Sequence, residues 1–454
     1  MGKDGAFRNR VVGCFFWLKV CFAAAISCAG LAFMSYTIYM MHYNFTHVSE
    51  GGIGGGAGSG MVSSPVYISP KNPECTRQDD NAIRLNPPNG RMMFGVALDW
   101  SIDTPTQYVA RTGIRPAVTN VFLTMTPSAA TPLDFNMLTW HIQQVALTGS
   151  MLELSIMPST LAIPDDVYTT VATKLLEYNS KYGVPILLRF GHEMNGNWMV
   201  YGYQPVQYIQ AFRKMAAAVR AQTNLTAMMW APNIGLAYPF AGTLAVSLPT
   251  NQSDPANFKA LDSNNDGVIN GQDDPYGPFY PGDDVVDWVG ISLYWYEGAG
   301  VNVAAQPGYI VASLTGAITG ASSVGLNLTA RNFYDRFSQS KNKPMALPES
   351  GMPWAPNLPP SAGMTELLAK QSWWTQIFSP TIYAQFPLLK LVVNFEELKS
   401  DQGVGADLTT LRDWRYSNQT AISTSFTNYL KTQGNEIAFA GSIKLKCNGE
   451  LNLI

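Results

Sequence analysis

The sequence predicts an α/β fold, a (β/α)8 barrel preceded by a single N-terminal transmembrane helix. Three observations predict it. Eight short apolar runs lie between residues 93 and 394, amphipathic stretches of helical period separate several of them, and an uncharged run of 22 residues stands near the N-terminus. Continuous apolar runs alternating with helices mark a parallel sheet whose strands are buried on both faces. Eight such units with insertions fit a closed barrel. The competing arrangement, a doubly wound open sheet, wants a glycine-rich phosphate loop after an early strand, and the chain has none.

Residues 1–19 read as a cytoplasmic tail and 20–41 as a transmembrane signal anchor. From Val20 to Met41 no formal charge occurs, and Lys3, Arg8, Arg10 and Lys19 precede the run against a single Asp4. A helix of that length crosses a hydrocarbon core of roughly 30 Å. The positive-inside rule then puts the N-terminus in the cytoplasm and the rest outside or in a lumen, a single-pass type II topology. A signal peptide cleaved to give a secreted protein is the alternative, with a shorter apolar core. Residues 42–89 form a Gly/Ser-rich linker (GGIGGGAGSG at 51–60) and a polar lead-in, and residues 90–454 form the folded domain. Cys75 and Cys447, the two cysteines beyond the membrane segment, sit near the ends of that domain, where a disulfide could join the termini. Sequons at Asn44, Asn224, Asn251, Asn327 and Asn418 all fall on the exported side, as glycosylation requires.

The strands are expected at Met93–Leu98, Val118–Met125, Leu152–Met157, Ile186–Phe190, Ala227–Trp230, Trp288–Leu293, Met345–Leu347 and Leu389–Asn394. Helices are expected at Val167–Asn179, Val206–Gln222 and Met364–Ile377. In such a barrel chemistry gathers at the C-terminal ends of the strands. A net charge of −3 with 13% charged residues excludes a basic nucleic-acid surface.

The fourth strand ends in RFGHEMNGNW, residues 189–198. Glu193 stands there beside Arg189, His192 and Asn195, with Trp198 just beyond. An apolar wall raises a carboxyl's pKa and suits it to acid/base work, whereas an ion-paired rim glutamate is the bland alternative. The seventh strand ends in ALPESG, with Glu349 at its tip. Two glutamates across one barrel mouth satisfy the needs of retaining glycoside hydrolysis, provided their carboxyls lie about 5–5.5 Å apart. Trp198, Trp230, Trp295, Tyr296 and Trp354 lie near strand ends, where a sugar face can pack on a ring, although core packing is an equal use. Glu396 and Glu397 read as solvated or structural.

These motifs resemble glycoside hydrolase family 26, which contains β-mannanases, lichenase-type β-glucanases and some xylanases. The resemblance rests on RFGHEMNGNW at 189–198, DWVGISLYWY at 287–296 and PESG at 348–351. It implies Glu193 as acid/base, His192 shaping the site, Tyr294 hydrogen-bonding the nucleophile, and Glu349 as that nucleophile. Phe190-Gly191 stands where mannanases often carry Pro, and Tyr201 where they often carry Trp, so the sequence leans toward the glucanase-like branch. No cofactor is expected for catalysis. The expected partner is a β-linked polysaccharide, with hydrolysis or transglycosylation as the reaction. A catalytically inactive glycan-binding or structural cell-surface protein is the alternative function.

Residues 262–273 read DSNNDGVINGQD, inside an insertion spanning about 236–284. Asp262, Asn264, Asp266, the backbone of Val268, Asn270 and Asp273 occupy positions 1, 3, 5, 7, 9 and 12 of an EF-hand-type calcium loop, with Gly267 at the turn. Asp at the last position resembles dockerin modules. No flanking EF-hand helices are expected, so the Ca²⁺ would be structural.

Overall fold

In the computed structural model the described residues are 84–87, 90–240, 245–296, 300–400 and 410–441, with the backbone of 443–445 and 451–453. The expected anchor at 20–41, the Gly/Ser linker at 51–60, Asn44, Cys75 and Cys447 lie outside them. Among the described residues no helix is long and apolar enough to cross a membrane. The barrel belongs to the unit of Ser63–Asp99 and Thr104–Ile454; of the other unit only the turn at Trp100–Asp103 is described.

The barrel strands are β1 (Met92–Leu98), β2 (Val118–Met125), β3 (Met151–Pro158), β4 (Ile186–Phe190), β5 (Thr226–Trp230), β6 in two pieces (Trp288–Gly290 and Leu293–Tyr294), β7 (Met345–Gly351) and β8 (Leu389–Glu396). Each pairs in parallel with the next. β8 returns to β1 from Met93↔Leu391 to Leu98↔Glu396, which closes the ring and rules out the open sheet. Closure removes both sheet edges.

Inward-facing Met93, Val118, Met151, Leu187, Met229, Trp288, Leu391 and Val393 fill the lower barrel. Gly95 of β1 lets two neighbours approach: a Cβ there would lie 2.9 Å from Cγ2 of Val393 and 3.0 Å from the carbonyl of Val118. Above this apolar floor the interior turns polar, with Asn120, Glu153, Ser155 and Arg189 all buried.

Helix α1 (Pro105–Thr112) follows β1 and α2 (Phe135–Thr148) follows β2. The expected helix at 167–179 is α3, Asp165–Tyr182, lengthened by two acidic residues in its first turn and Lys181 in its last, where they complement the helix dipole. α4 (Pro205–Gln222) starts on a proline whose missing N–H costs nothing there.

Two strands depart from expectation for local reasons. β6 breaks at Ser292: Ile291 still donates to the carbonyl of Ala346 on β7, but Ser292 N–H donates to the carbonyl of Pro232 and its own carbonyl accepts from Ile234. β7 runs on past Pro348, with a register shift between Leu347 and Ser350 that absorbs the missing donor.

The insertion between β5 and β6 contains one helix, α5 (Pro255–Leu261), which ends directly before Asp262. An incoming helix therefore exists where none was expected. Arg331, fully buried, donates to the carbonyls of Gly235, Tyr238 and Gly271 and ties the insertion to the segment before β7.

Candidate active site

The chain leaves β4 through a backbone conformation that only glycine takes easily. Gly191 has φ +57°, and a Cβ there would lie 2.8 Å from Cε2 of Tyr208. Glu193 itself has φ +55°. A non-glycine residue in this region costs on the order of 1–2 kcal/mol, and such strain collects at functional sites. The turn is held by Glu193 N–H donating to the carbonyl of Ala231 (2.9 Å) and by Tyr201 OH donating to the carbonyl of His192 (2.9 Å).

Arg189, on β4, has no exposed surface, whereas Glu193 and Glu349 keep 8% and 9%, so the two carboxyls reach the surface from the floor Arg189 occupies. Nη1 of Arg189 donates to Oε1 of Glu349 in a short contact, and Nη2 donates to Oγ of Ser292 at 2.7 Å. Tyr294 OH donates to Oε2 of Glu349 at 2.9 Å. Nε2 of His192 lies 4.0 Å from Oε1 of the same carboxylate. Both oxygens of Glu349 are thus fixed by donors from two strands.

Glu193 has different company. Oε2 accepts from the indole N–H of Trp198 at 2.6 Å, and Oε1 accepts from Nδ2 of Asn233 at 2.9 Å. Asn233 is aligned in turn by Asn195, whose side chain donates to its carbonyl and accepts from its N–H, each at 2.8 Å.

The two carboxyls are pushed in opposite directions. Burial works to raise Glu349, but the Arg189 charge and the donors on both oxygens outweigh it and hold it below the usual range. Burial raises Glu193, and facing Glu349 raises it further, against Arg189 and the hydrogen bonds from Ser292 and Asn233. Burial, with Arg189 adding, lowers His192 to about 3, so its imidazole is neutral. A pair of carboxyls separated in this way assigns itself to one acid and one anion.

Among the sequence-predicted residues, Arg189, His192, Glu193, Trp198, Tyr294 and Glu349 meet in this cluster. Asn195 has no exposed surface and serves the backbone of Asn233. Trp230 is fully buried, stacked on Phe333 with ring centroids 5.7 Å apart, and so is core rather than a sugar platform. Trp295 packs edge-on against Tyr309, and Trp354 forms an isolated bridge with Asp413; both are half-buried. Tyr296 and Tyr294 pack on Trp414 at 5.4 and 4.8 Å. Glu396 is structural: it accepts from Asn394, from the backbone of Tyr416 and Ser417, and from the Ser417 hydroxyl. Glu397 is half-buried, not solvated, and burial pushes it up to about 7.

Sequence reasoning missed Ser292, Asn233 and Glu153. Each carried a signal: a polar residue inside an apolar run, one just past β5, and a charge within a buried strand.

In the 262–273 loop the side-chain oxygens cap loop amides. Asp262 accepts from Asp266 and Gly267, Asn264 from Asp266, Asp266 from Val268, Asn270 from Gln272, and Asp273 from Ser263 and Asn270. Among the described residues no group of three or more His, Cys, Asp or Glu is disposed to hold a metal ion. Asn251 is exposed and Asn224 and Asn327 are half-buried. Nδ2 of Asn418 donates to both Glu366 and Asp413.

A family match supports a glycosidase. The model of Glycosyl hydrolase family 26 matches residues 165–241, a stretch that contains Arg189, His192, Glu193 and Asn233. Solved structures similar to the chain include a β-mannanase from Bacteroides ovatus, at 17% identity over 82% of this chain and 95% of that one, with a TM-score of 0.45. A modular endo-β-1,4-mannanase from Cellulomonas fimi is 16% identical over 79% of this chain and 74% of that one, with a TM-score of 0.48. A mannanase from Bacillus subtilis is 15% identical over 83% and 96%, with a TM-score of 0.44. No curated protein matches the chain.

Proposed function

We propose that the chain is a retaining glycoside hydrolase acting on a β-linked polysaccharide, β-mannan or β-glucan, with Glu349 as nucleophile and Glu193 as acid/base. The observation that carries this is the opposite tuning of the two carboxyls: Glu349 held as an anion by Arg189 and Tyr294, Glu193 pushed up by burial. Glu349 attacks the anomeric carbon while Glu193 gives its proton to the departing glycosidic oxygen. Glu193, now the base, takes a proton from water, whose oxygen displaces Glu349 from the sugar. A sugar hydroxyl in place of that water gives transglycosylation. A purely glycan-binding protein has no use for two carboxyls tuned apart.

The test is digestion of a panel of β-mannans and β-glucans by the full chain, with the anomeric configuration of the first product followed by NMR. Retained configuration and its loss in both E349A and E193A are expected. Inverted product, or full activity in either variant, overturns the assignment.

Residues 20–41 are proposed as the membrane anchor, with the barrel at 90–454 on the exported side and Cys75 joined to Cys447. Protease protection of the barrel in sealed vesicles tests the topology, and a glycosidase-sensitive mass shift at Asn251 tests export. Calcium is proposed for the 262–273 loop. Asp262, Asn264, Asp266, Asn270 and Asp273 with the carbonyl of Val268 offer the hard oxygen donors Ca²⁺ takes, and Gly267 at φ +86° makes the turn such loops need.

A further inference from the structure

Glu153 stands in the middle of β3, inside the barrel. It has no exposed surface, and its carboxyl oxygens make no close, well-aligned hydrogen bond, the neutral side chains of Asn120 and Ser155 being the donors beside it. Its Oε1 lies 4.0 Å from Nη1 of Arg189, the nitrogen that donates to Glu349. The rest of the guanidinium is committed or blocked: Nη2 is bonded to Ser292, and Nε is buried without a partner. On the other side Asn120 of β2 donates to Ser155, so its amide is shared between that hydroxyl and the carboxyl. Glu153 and Glu349 therefore approach one nitrogen from two sides, one from inside the barrel and one from its mouth.

We propose that Glu153 is a positioning residue of this site: it competes with Glu349 for Nη1 of Arg189, and its protonation state decides whether the guanidinium clamps the nucleophile. The inference rests on the assignment of Glu349 above. An ionised carboxylate with only weak neutral donors is costly to bury, so the observed arrangement belongs to the protonated acid. The charged groups acting on it are Arg189 from β4 and Glu349 from β7, while Asn120 of β2 and Ser155 of its own strand are neutral donors. Burial pushes Glu153 up to about 8 against the pull of Arg189, with Glu349 adding to the rise. Below that pH the neutral acid leaves Nη1 to Glu349. Above it the new anion needs a charged donor, and the nearest is Nη1, about 1 Å beyond hydrogen-bonding distance. A guanidinium drawn inward leaves Oε1 of Glu349 unheld, and the attacking carboxylate loses its fixed orientation.

The experiment uses the full chain and an aryl β-glycoside with a dinitrophenolate leaving group, which needs no proton from Glu193. An alkaline fall in kcat/KM then reports on the nucleophile rather than the acid. The wild type is expected to show that fall near pH 8, and E153Q and E153M, both permanently neutral, to lack it while keeping the acid limb. Either variant suffices if the other does not fold. The wild-type minus E153Q infrared difference spectrum is expected to contain the carbonyl stretch of a protonated acid at neutral pH, titrating with the same midpoint. An alkaline fall that persists in the variants, or a wild type without one, overturns the positioning role. Absence of the infrared band overturns the protonated state. Full activity in E349A would instead refute the assignment of the nucleophile, while the infrared result would still decide the state of Glu153.

Discussion

Tyr294 OH and Oε2 of Glu349 are joined by a 2.9 Å hydrogen bond that links the second piece of β6 to β7. Arg189 holds the opposite oxygen, so the two donors together set the carboxylate plane. Tyr294→Phe removes one charge-assisted bond of about 1.5–3 kcal/mol, equivalent to roughly a 10- to 100-fold loss. The expected loss is in kcat, with KM little changed, measured by steady-state kinetics. A rise in KM alone would mean that Tyr294 binds substrate and does not orient Glu349.

The opposite tuning of the carboxyls fixes the sign of the pH profile. With a natural polysaccharide, kcat/KM rises as Glu349 ionises, below the usual carboxylate range, and falls as Glu193 loses its proton, above that range. Trp198→Phe removes a donor 2.6 Å from Oε2 of Glu193, a bond that favours the anion. The alkaline limb is expected to move to higher pH in this variant. Movement to lower pH would contradict the hydrogen bond's role.

Asn195 acts through Asn233. Asn195→Ala leaves the N–H and carbonyl of Asn233 without their partners and costs on the order of 1–3 kcal/mol. The side chain that bonds Oε1 of Glu193 then loses its alignment, so kcat falls while KM holds. An increase in KM at constant kcat would show that Asn195 touches sugar.

Gly191→Ala meets both a left-handed backbone and Tyr208. Destabilisation of roughly 2–4 kcal/mol is expected from the two costs together. Gly113, at φ +69° with nothing within 4 Å, isolates the backbone cost alone. Thermal unfolding of Gly113→Ala should show the smaller loss; equal losses would remove Tyr208 from the account.

Chelation tests the calcium proposal. A cation at about 100 times its Kd stabilises the folded chain by about 2.7 kcal/mol. EGTA should therefore lower the melting temperature by a few degrees, and added Ca²⁺ should restore it. An unchanged melting temperature rules out the ion. Arg331 and Arg336, through Gly271 and Asp274, hold the insertion whether or not calcium is present.

The sequence determined the order and nature of the strands, because a parallel barrel buries both faces and writes each strand as an apolar run. β2 and β4 match their expected bounds, and the first segment of β6 and all of β7 differ only where Ser292 and Pro348 disturb the ladder. It also determined the dense turn at 189–198, whose parts are neighbours in the chain. Only the tertiary structure decided which oxygen each donor meets. Arg189 and Glu349 are 160 positions apart, and Arg189 and Ser292 are 103 apart. Strand alternation says that a residue points inward but not which residue faces it across the ring. Closure of β8 on β1, and the registers it imposes, bring Glu153 and Glu349 to the same nitrogen of Arg189, and no local pattern encodes that approach.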